Sequence, residues 1–283
     1  MNVIVAGSAG FCFGVNKAVN TVYDQIEKSS LPVYTYGPII HNQLVVRDLE
    51  EKGVRVLNTL EELEAVKEGT VIIRSHGVPG KVRRSMDREG IVCVDATCPF
   101  VSKIHRIVEK DSSEGSVIVI AGDPEHPEVE GIRGWVNGEC FIINSTKELE
   151  ELKISPEKKI TFVAQTTYNH QKFKEFVEIF NRLSYNVKVC STVCSATEER
   201  QSEAMEIAQK VDAMIVIGDR HSSNTRKLYD ICNRKCKYTY FIETIVDLKT
   251  QPFQSVSDVG ITAGASTPTN ILEEVQNCVR NEC

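Results

Sequence analysis

Short runs rich in valine and isoleucine alternate with amphipathic stretches along the whole chain, and no other feature constrains the fold as strongly. Eleven of these runs, such as TVIIRS, SVIVIAG and AMIVIG, have the composition and length of β-strands. Strands separated by helical patterns indicate βαβ units and mainly parallel sheets. The chain is therefore predicted to have an α/β fold.

Length and charge narrow the class of protein further. At about 100 to 200 residues per domain, 283 residues allow two or three domains. The net charge of -6 excludes a general basic surface for nucleic acid. The N-terminus lacks the cationic start of a signal peptide, and no apolar stretch approaches the roughly 18 residues of a membrane span. We expect a cytoplasmic protein with reduced cysteines that binds neither nucleic acid nor membranes.

Three of the ten cysteines directly precede a helical pattern, one in each third of the chain. Cys12, Cys98 and Cys194 are separated by 86 and 96 residues, and apolar residues at helical spacing follow each one. The positive end of a helix dipole favours the thiolate, which is the form that ligates metal. The other seven are interpreted as structural thiols: Cys93, Cys140, Cys190, Cys232, Cys236, Cys278 and Cys283.

Three thiolates from three parts of one chain favour an iron–sulfur cluster over zinc. Structural zinc usually takes four ligands from close pairs such as C-x2-C, and the sequence contains no such pair. A [4Fe–4S] cluster with four cysteine ligands mainly carries electrons. With three ligands, one iron stays open and can act as a Lewis acid.

Three histidines follow strand-like runs at the start of loops: His41 in GPIIHNQ, His76 in RSHG and His126 in EHPE. In open parallel sheets, ligands bind beyond the carboxyl ends of the strands, where such side chains can donate to an anion. The alternative for each is an ordinary structural histidine.

Hydroxyl and amide side chains occupy comparable positions in the last third. Ser222, Ser223 and Asn224 open a predicted helix, and Ser266 lies in AGAST before Pro268. Such residues either cap a helix or join its N–H groups in binding phosphate, and both interpretations stay open here.

Glu128 follows His126 by two residues and is either a solvated loop carboxylate or a proton carrier. The second role requires the loop to face a closed metal site. Thr166 or Thr167 of AQTT would then be a hydroxyl relay.

The recurring cysteines and loops predict three similar α/β units with mainly parallel sheets, arranged pseudo-threefold around a central iron–sulfur cluster. The predicted first unit is residues 1–96, with Cys12, His41 and His76. The second unit is residues 97–192, with Cys98, His126, Glu128 and Thr166. The third unit is residues 193–283, with Cys194, Ser222, Ser223, Asn224 and Ser266.

Nine motifs occur in order between residues 10 and 266: GFCFGV, IIHN, SHGV, DATCPFV, HPEVEG, QTT, the CSAT segment ending in ERQ, SSN and TAGAS. Together they resemble the LytB family, the 4-hydroxy-3-methylbut-2-enyl diphosphate reductases of the non-mevalonate isoprenoid pathway. The resemblance covers nearly the whole chain. It implies an oxygen-sensitive [4Fe–4S] enzyme that reductively removes the substrate hydroxyl, yielding isopentenyl diphosphate, dimethylallyl diphosphate and water.

The resemblance also implies a role for each candidate residue. Cys12, Cys98 and Cys194 would ligate the cluster and leave one iron open. Glu128 would deliver protons, and Thr166 would contact the substrate hydroxyl. The implied diphosphate-binding residues are His41, His76, His126, Ser222, Ser223, Asn224 and Ser266.

The implied partners are a small diphosphate substrate and an electron-donor protein such as ferredoxin or flavodoxin, and a monomer suffices to build the site. One departure is His221, where the family usually has an amide residue; we interpret it as a surface residue rather than a diphosphate contact.

Two alternatives stay open. A hydro-lyase with an open iron would need clustered arginines in the candidate loops, and an iron–sulfur sensor or carrier would need a fourth thiolate, for which Cys190 is the best candidate.

Overall fold

The computed structural model describes residues 1–183, 185–248 and 256–281, in which twelve strands and twelve helices alternate. The strands are β1 Asn2–Val5, β2 Val33–Tyr36, β3 Arg55–Leu57, β4 Gly69–Ile73, β5 Ile91–Asp95, β6 Val117–Ala121, β7 Cys140–Ile143, β8 Ile160–Ala164, β9 Val187–Val189, β10 Ala213–Ile217, β11 Tyr238–Ile242 and β12 Asp258–Ala263. The helices are α1 Phe13–Lys28, α2 Gln43–Glu51, α3 Leu60–Ala65, α4 Gly80–Ser85, α5 Pro99–Ser113, α6 Pro127–Arg133, α7 Thr146–Glu150, α8 His170–Arg182, α9 Ser195–Ala208, α10 Ser223–Asn233, α11 Ile245–Leu248 and α12 Thr269–Arg280.

The strands form three four-stranded sheets in which every adjacent pair is parallel. The first sheet has the order β3-β2-β4-β5, the second β7-β6-β8-β9 and the third β11-β10-β12-β1. If β1 is counted as the fourth strand of the third sheet, each sheet has the order second, first, third, fourth strand. The prediction of an α/β fold with three similar parallel sheets is confirmed.

The position of β1 contradicts the predicted first unit of residues 1–96. β1 pairs with β12, with Val3 opposite Val259 and Val5 opposite Ile261. Val3 and Val5 also pack against the apolar core of the third sheet. The strand therefore joins the third sheet because that sheet otherwise lacks a fourth strand, and the first sheet already has one in β5.

The chain divides into two compact units, each described below by itself. The terminal unit comprises the described residues within Met1–Asn16, Ile40–Arg47 and Ser195–Cys283, and it contains the third sheet. The middle unit, Lys17–Ile39 and Asp48–Cys194, contains the first and second sheets. The expected pseudo-threefold arrangement around a centre stays a prediction, as do the boundaries at residues 97–192 and 193–283.

Local patterns predicted the elements well, with one exception. The helices expected behind the three cysteines are present as α1, α5 and α9. The strand β3, only three residues long, was not predicted because its RVL segment is too short to show a period. It pairs with β2 at the edge of the first sheet.

Four of the six strands inside the sheets are buried along their whole length, as expected for parallel sheets covered by helices on both faces. In β4, β6, β8 and β10 every residue is buried. In the second sheet Phe162 of β8 packs against Phe173 and Phe180 of α8, with ring centroids 5.1 and 4.9 Å away. Within the described ranges, no helix combines the length and apolar character needed to cross a membrane.

His105 of α5 lies in the middle unit where a loop of the first sheet meets the second sheet. Its ring stacks on Trp135, with centroids 5.6 Å apart, and the Trp135 indole N–H donates to the carbonyl of Val78 at 2.8 Å. Burial lowers the pKa of His105 to about 4, an effect that the charge of Asp95 only partly opposes. His105 is therefore neutral in the folded protein at neutral pH.

This buried histidine should make the protein sensitive to acid. The unfolded chain binds a proton on His105 below about pH 6.5, whereas the folded protein does so only near pH 4, so the stabilisation is complete above pH 6.5 and is lost as the pH falls. Between pH 7 and pH 4 the wild-type apo-protein should lose about 3 kcal/mol more unfolding free energy than His105→Phe, measured by urea titration. His221→Gln, which changes an exposed histidine, should behave like the wild type. Identical pH dependence of His105→Phe and wild type would contradict the assignment.

Candidate functional site

The three candidate cysteines occupy one equivalent position in the three sheets. Each follows the fourth strand of a sheet and immediately precedes a helix. In each case the backbone N–H of the cysteine donates to the carbonyl of the second residue beyond the third strand. The three hydrogen bonds are Cys12 to Ala265 (3.2 Å), Cys98 to Ser75 (3.0 Å) and Cys194 to Thr166 (3.0 Å).

A position directly before a helix, and not burial alone, distinguishes these three cysteines. Cys12, Cys98 and Cys194 are half-buried, and so are Cys93, Cys140 and Cys190. Burial raises the pKa of four other thiols, to about 11 for Cys140 and about 12 for Cys232, and by a smaller amount for Cys93 and Cys190. A raised pKa disfavours the thiolate that a metal requires. Cys236 and Cys278 pack in apolar cores, and Cys283 lies outside the described residues. Cys278 is disulfide-bonded, so the expectation of reduced cysteines is wrong for this residue.

In the middle unit the structure brings His76 and His126 together. Their ring centroids are 5.5 Å apart, and a ring nitrogen of each lies within 4.8 Å of the other. His126 caps α6, and its Nδ1 accepts a hydrogen bond from the backbone N–H of Glu128 at 3.1 Å. Because Nδ1 is an acceptor, the neutral His126 ring must carry its proton on Nε2. That N–H can donate to an anion.

Glu128 and Thr166 form a direct pair in the same unit. The Glu128 side chain is buried, with 1% of its surface exposed. Its Oε1 accepts from the Thr166 backbone N–H at 2.6 Å, and its Oε2 accepts from the Thr166 hydroxyl at 2.8 Å. The carbonyl of Thr166 accepts from the N–H of Cys194. A buried carboxylate, a hydroxyl and a candidate metal ligand are thus joined by consecutive hydrogen bonds, and the solvated interpretation of Glu128 is wrong.

In the terminal unit, hydrogen bonds join the turn at Ser266 to the loop at His41. The Ser266 hydroxyl donates to the carbonyl of His41 at 2.8 Å, and the Asn42 side chain donates to the carbonyl of Ser266 at 2.9 Å. Asn42 was not among the residues chosen from the sequence. Its Oδ1 also accepts from the N–H groups of Leu44 and Val45, so it caps α2 while it holds the Ser266 turn.

The start of α10 has the helix cap that was one of the two alternatives, while phosphate binding there stays a prediction. The Ser222 hydroxyl caps the helix by accepting from the N–H of Thr225 at 3.3 Å. Ser223 accepts from the ammonium group of Lys227 at 3.0 Å, which places a cation at the helix start. Asn224 is 3% exposed, and among the described residues neither atom of its side-chain amide has a hydrogen-bond partner. A buried amide without partners is costly unless a ligand satisfies it.

Sequence reasoning missed one further buried residue. Gln165, directly after β8, is fully buried, and its amide has no hydrogen-bond partner within the described part of the chain. Its position next to Thr166 in the QTT motif was the available signal. His221 is exposed, and its backbone N–H donates to Asp219.

A second equivalence relates the polar residues of the three sheets. A glycine follows the first strand of each sheet, and its N–H donates to the last residue of the second strand: Gly37 to Leu57 (2.7 Å), Gly122 to Ile143 (3.0 Å) and Gly218 to Ile242 (2.9 Å). The fourth residue after each glycine is His41, His126 or Ser222, and the sixth is Gln43, Glu128 or Asn224. The candidate residues therefore occupy repeated positions of one scaffold.

Comparison with known proteins assigns the scaffold to a family. The family model described as LytB protein matches residues 3–280. The chain belongs to the LytB family. A curated LytB relative from Caldanaerobacter subterraneus subsp. tengcongensis, named 4-hydroxy-3-methylbut-2-enyl diphosphate reductase, is 43% identical over 97% of this chain and 95% of its own. A relative of the same name from Clostridioides difficile is 40% identical over 99% of this chain and 100% of its own.

Solved structures agree with this LytB assignment. The structure of (E)-4-hydroxy-3-methyl-but-2-enyl diphosphate reductase, the terminal enzyme of the non-mevalonate pathway, is 40% identical, with a TM-score of 0.72 over 99% of this chain and 100% of that one. The E-1-hydroxy-2-methyl-but-2-enyl-4-diphosphate reductase from Plasmodium falciparum is 28% identical, with a TM-score of 0.90 over 99% of this chain and 87% of that one.

The loop that carries His76 should tolerate no side chain at Gly77. Gly77 has a φ of +71°, and an added Cβ would lie 2.5 Å from Cε1 of His105 and 3.2 Å from Cγ2 of Thr97. Gly115 has a similar φ of +88° with nothing within 4 Å of an added Cβ. Both alanine variants incur backbone strain, so Gly77→Ala should lose about 1–3 kcal/mol more unfolding free energy than Gly115→Ala because of the clash. Equal losses in urea unfolding would show that the loop relaxes freely.

Proposed function

We propose that this chain is a 4-hydroxy-3-methylbut-2-enyl diphosphate reductase that produces isopentenyl and dimethylallyl diphosphates by two-electron reductive dehydroxylation. The observation that carries this proposal is the half-buried cysteine at one equivalent position in all three sheets, in a chain whose near full-length relatives bear that name. In balanced form, the substrate takes up two electrons and two protons and releases its hydroxyl as water. This reaction would be the last step of the non-mevalonate pathway.

Cys12, Cys98 and Cys194 are the proposed protein ligands of one [4Fe–4S] cluster. All three directly precede a helix, whereas Cys190, the best candidate for a fourth thiolate, directly follows β9 and does not. Such a cluster supplies electrons one at a time and keeps one iron open as a Lewis acid. Cys190 does not share the position directly before a helix, which disfavours the alternative of a four-cysteine electron carrier.

The diphosphate would be bound by donors that come from several loops. His126 accepts the N–H of Glu128 at Nδ1, so its Nε2–H is the donor that this ring would offer to the diphosphate. The Asn224 amide is buried and needs partners, and Lys227 adds a cation at the same helix start. The full proposed set is His41, His76, His126, Ser222, Ser223, Asn224 and Ser266. These local donors offset the phosphate charge in a protein whose net charge is -6.

Glu128 is the proposed proton carrier and Thr166 the hydroxyl that contacts the substrate hydroxyl. The Thr166 hydroxyl donates to Oε2 of Glu128 at 2.8 Å; when the carboxyl group is protonated, it would pass its proton to the Thr166 oxygen as that hydroxyl passes its own proton to the substrate. Burial keeps bulk water from this pair, so the proton would go to the departing oxygen of the substrate rather than to solvent.

The electrons would come from a small carrier protein such as a ferredoxin or flavodoxin, because the sequence has no nicotinamide or flavin fingerprint. We further propose that the enzyme works as a monomer in the cytoplasm.

Anaerobic reconstitution with iron and sulfide tests the proposed function. Mössbauer spectra should show a four-iron cluster, and addition of the diphosphate substrate should change the spectrum of one iron only. Cys12→Ser, Cys98→Ser and Cys194→Ser should each lose the cluster and activity. Cys190→Ser, the matched control, should keep both. A cluster that survives all three substitutions, or that is lost in Cys190→Ser, would refute the ligand assignment.

The role of Glu128 can be tested separately with Glu128→Gln. The amide keeps the shape but cannot deliver a proton, so turnover should fall by about 10²–10⁴-fold or more while cluster content and substrate affinity stay near wild type. Glu125→Gln, which changes an exposed carboxylate of the same loop, should leave turnover unchanged. Turnover of Glu128→Gln within a few-fold of wild type would eliminate the proton-carrier role.

A further inference from the structure

The loop that carries Cys12 differs from the other two cysteine loops in its length. Six residues, 6–11, separate β1 from Cys12, whereas two residues precede Cys98 and four precede Cys194 after their strands. Each residue ordered in a loop costs about 1–2 kcal/mol of conformational entropy. The Cys12 loop therefore needs more external contacts to hold its thiol in one place.

A local side chain holds each of the two shorter loops. In the loop before Cys98, the Asp95 carboxylate accepts from the N–H of Thr97 at 2.9 Å. In the loop before Cys194, the Thr192 hydroxyl bonds to both the N–H and the carbonyl of Ala164, at 2.7 and 2.8 Å.

The Cys12 loop is held by a residue distant in sequence, Glu203 of α9. The Glu203 carboxylate accepts from the N–H of Gly7 at 2.7 Å and the N–H of Ser8 at 2.9 Å, and it also bonds to the Ser8 hydroxyl. Although burial opposes it, these bonds and the charge of Arg200 hold the pKa of Glu203 below its usual value. Glu203 is therefore a carboxylate at neutral pH, and its hydrogen bonds are charge-assisted.

The same helix also contacts the end of β12, which leads to the carbonyl that accepts from the N–H of Cys12. Arg200, in the ERQ segment, is buried and donates from its guanidinium to the carbonyl of Ala263 at 3.1 Å. Ala263 ends β12, two residues before Ala265, whose carbonyl accepts from the N–H of Cys12. Arg200 and Glu203 are three residues apart and so lie on one face of α9.

Apolar packing fixes α9 against the base of the loop. Ala6, at the start of the loop, belongs to the same buried cluster as Ala204 and Ile207 of α9. The helix thus contacts the loop first through Ala6 and then through Glu203. Its position is not free to follow a moving loop, so the hydrogen bonds act on the loop.

We propose that Glu203 is a positioning residue for the Cys12 thiol: from α9 it fixes the loop of residues 6–11, with Arg200 fixing the strand end beside it. The inference rests on the proposed function only in naming Cys12 as a cluster ligand. Its direct consequence concerns the thiol itself. Without Glu203 the loop should sample conformations in which Cys12 is more accessible and poorly placed for a ligand.

Site-resolved alkylation of the anaerobic, reduced apo-protein measures this directly. In Glu203→Gln, the amide nitrogen would face the N–H donors of Gly7 and Ser8, so Cys12 should react with iodoacetamide about tenfold faster, the factor that corresponds to about 1.4 kcal/mol. The rates at Cys98 and Cys194, followed by peptide mass spectrometry, should not change. Ser8→Ala, which removes only the hydroxyl bond, should give a smaller increase. Glu206→Gln, an exposed carboxylate on the same helix, is the matched control and should leave all rates unchanged.

Cluster assembly is the second measurement. After reconstitution, Glu203→Gln should hold less iron and lose its cluster faster in air than wild type or Glu206→Gln. An unchanged Cys12 alkylation rate, or an equal increase at all three cysteines, would overturn the inference, because the first means no positioning and the second means general destabilisation. If wild-type protein assembles no cluster while Cys12 still reacts faster in Glu203→Gln, the proposed function fails and the positioning role stands.

Discussion

One backbone hydrogen bond, formed once in each sheet, determines where the three candidate ligands lie. The N–H of a residue at a helix start has no partner within its helix, so it must find one elsewhere. Here each cysteine N–H finds the carbonyl of the second residue beyond the third strand. The acceptors are Ser75, beside His76; Thr166, which bonds to Glu128; and Ala265, beside Ser266. The same bond therefore couples a thiol to a polar residue in every sheet.

The repeated scaffold also shows which residue at its sixth position can carry a proton. At the sixth position after the repeated turn glycines, the three sheets have Gln43, Glu128 and Asn224. The shape of these side chains is similar, but an amide cannot exchange protons at neutral pH and a carboxyl group can. At the fourth position two histidines and a serine supply donors. The backbone positions are thus repeated in the three sheets, and the side chains at these positions give the sheets different chemical functions.

Features that depend on neighbouring residues could be predicted from the sequence, whereas features that depend on residues far apart in the chain could not. The cysteines were identified because a helical pattern directly follows each one. The strands were identified because their runs of Val and Ile are local patterns. The placement of β1 was not predicted because its partner strand, β12, is distant in the sequence. Asn2 of β1 pairs with Asp258 of β12, 256 residues away. The roles of Asn42 and Glu203 were missed for the same reason: their partners lie 224 and about 195 residues away.

Of the three thiols, Cys12 is the most difficult to hold in place, because the third sheet pairs the first strand of the chain with the last. Because β1 comes first in the chain and its partner β12 comes near the end, the loop after β1 can be ordered only when the third sheet has formed. Contacts of such large sequence separation form late, after the entropy of closing the intervening chain has been overcome. The short loops before Cys98 and Cys194 need only neighbouring strands and local caps. The longest loop and the strand end beside it are held by the charged side chains of Glu203 and Arg200 on α9. These hydrogen bonds suit that role because charge-assisted hydrogen bonds are stronger than neutral ones.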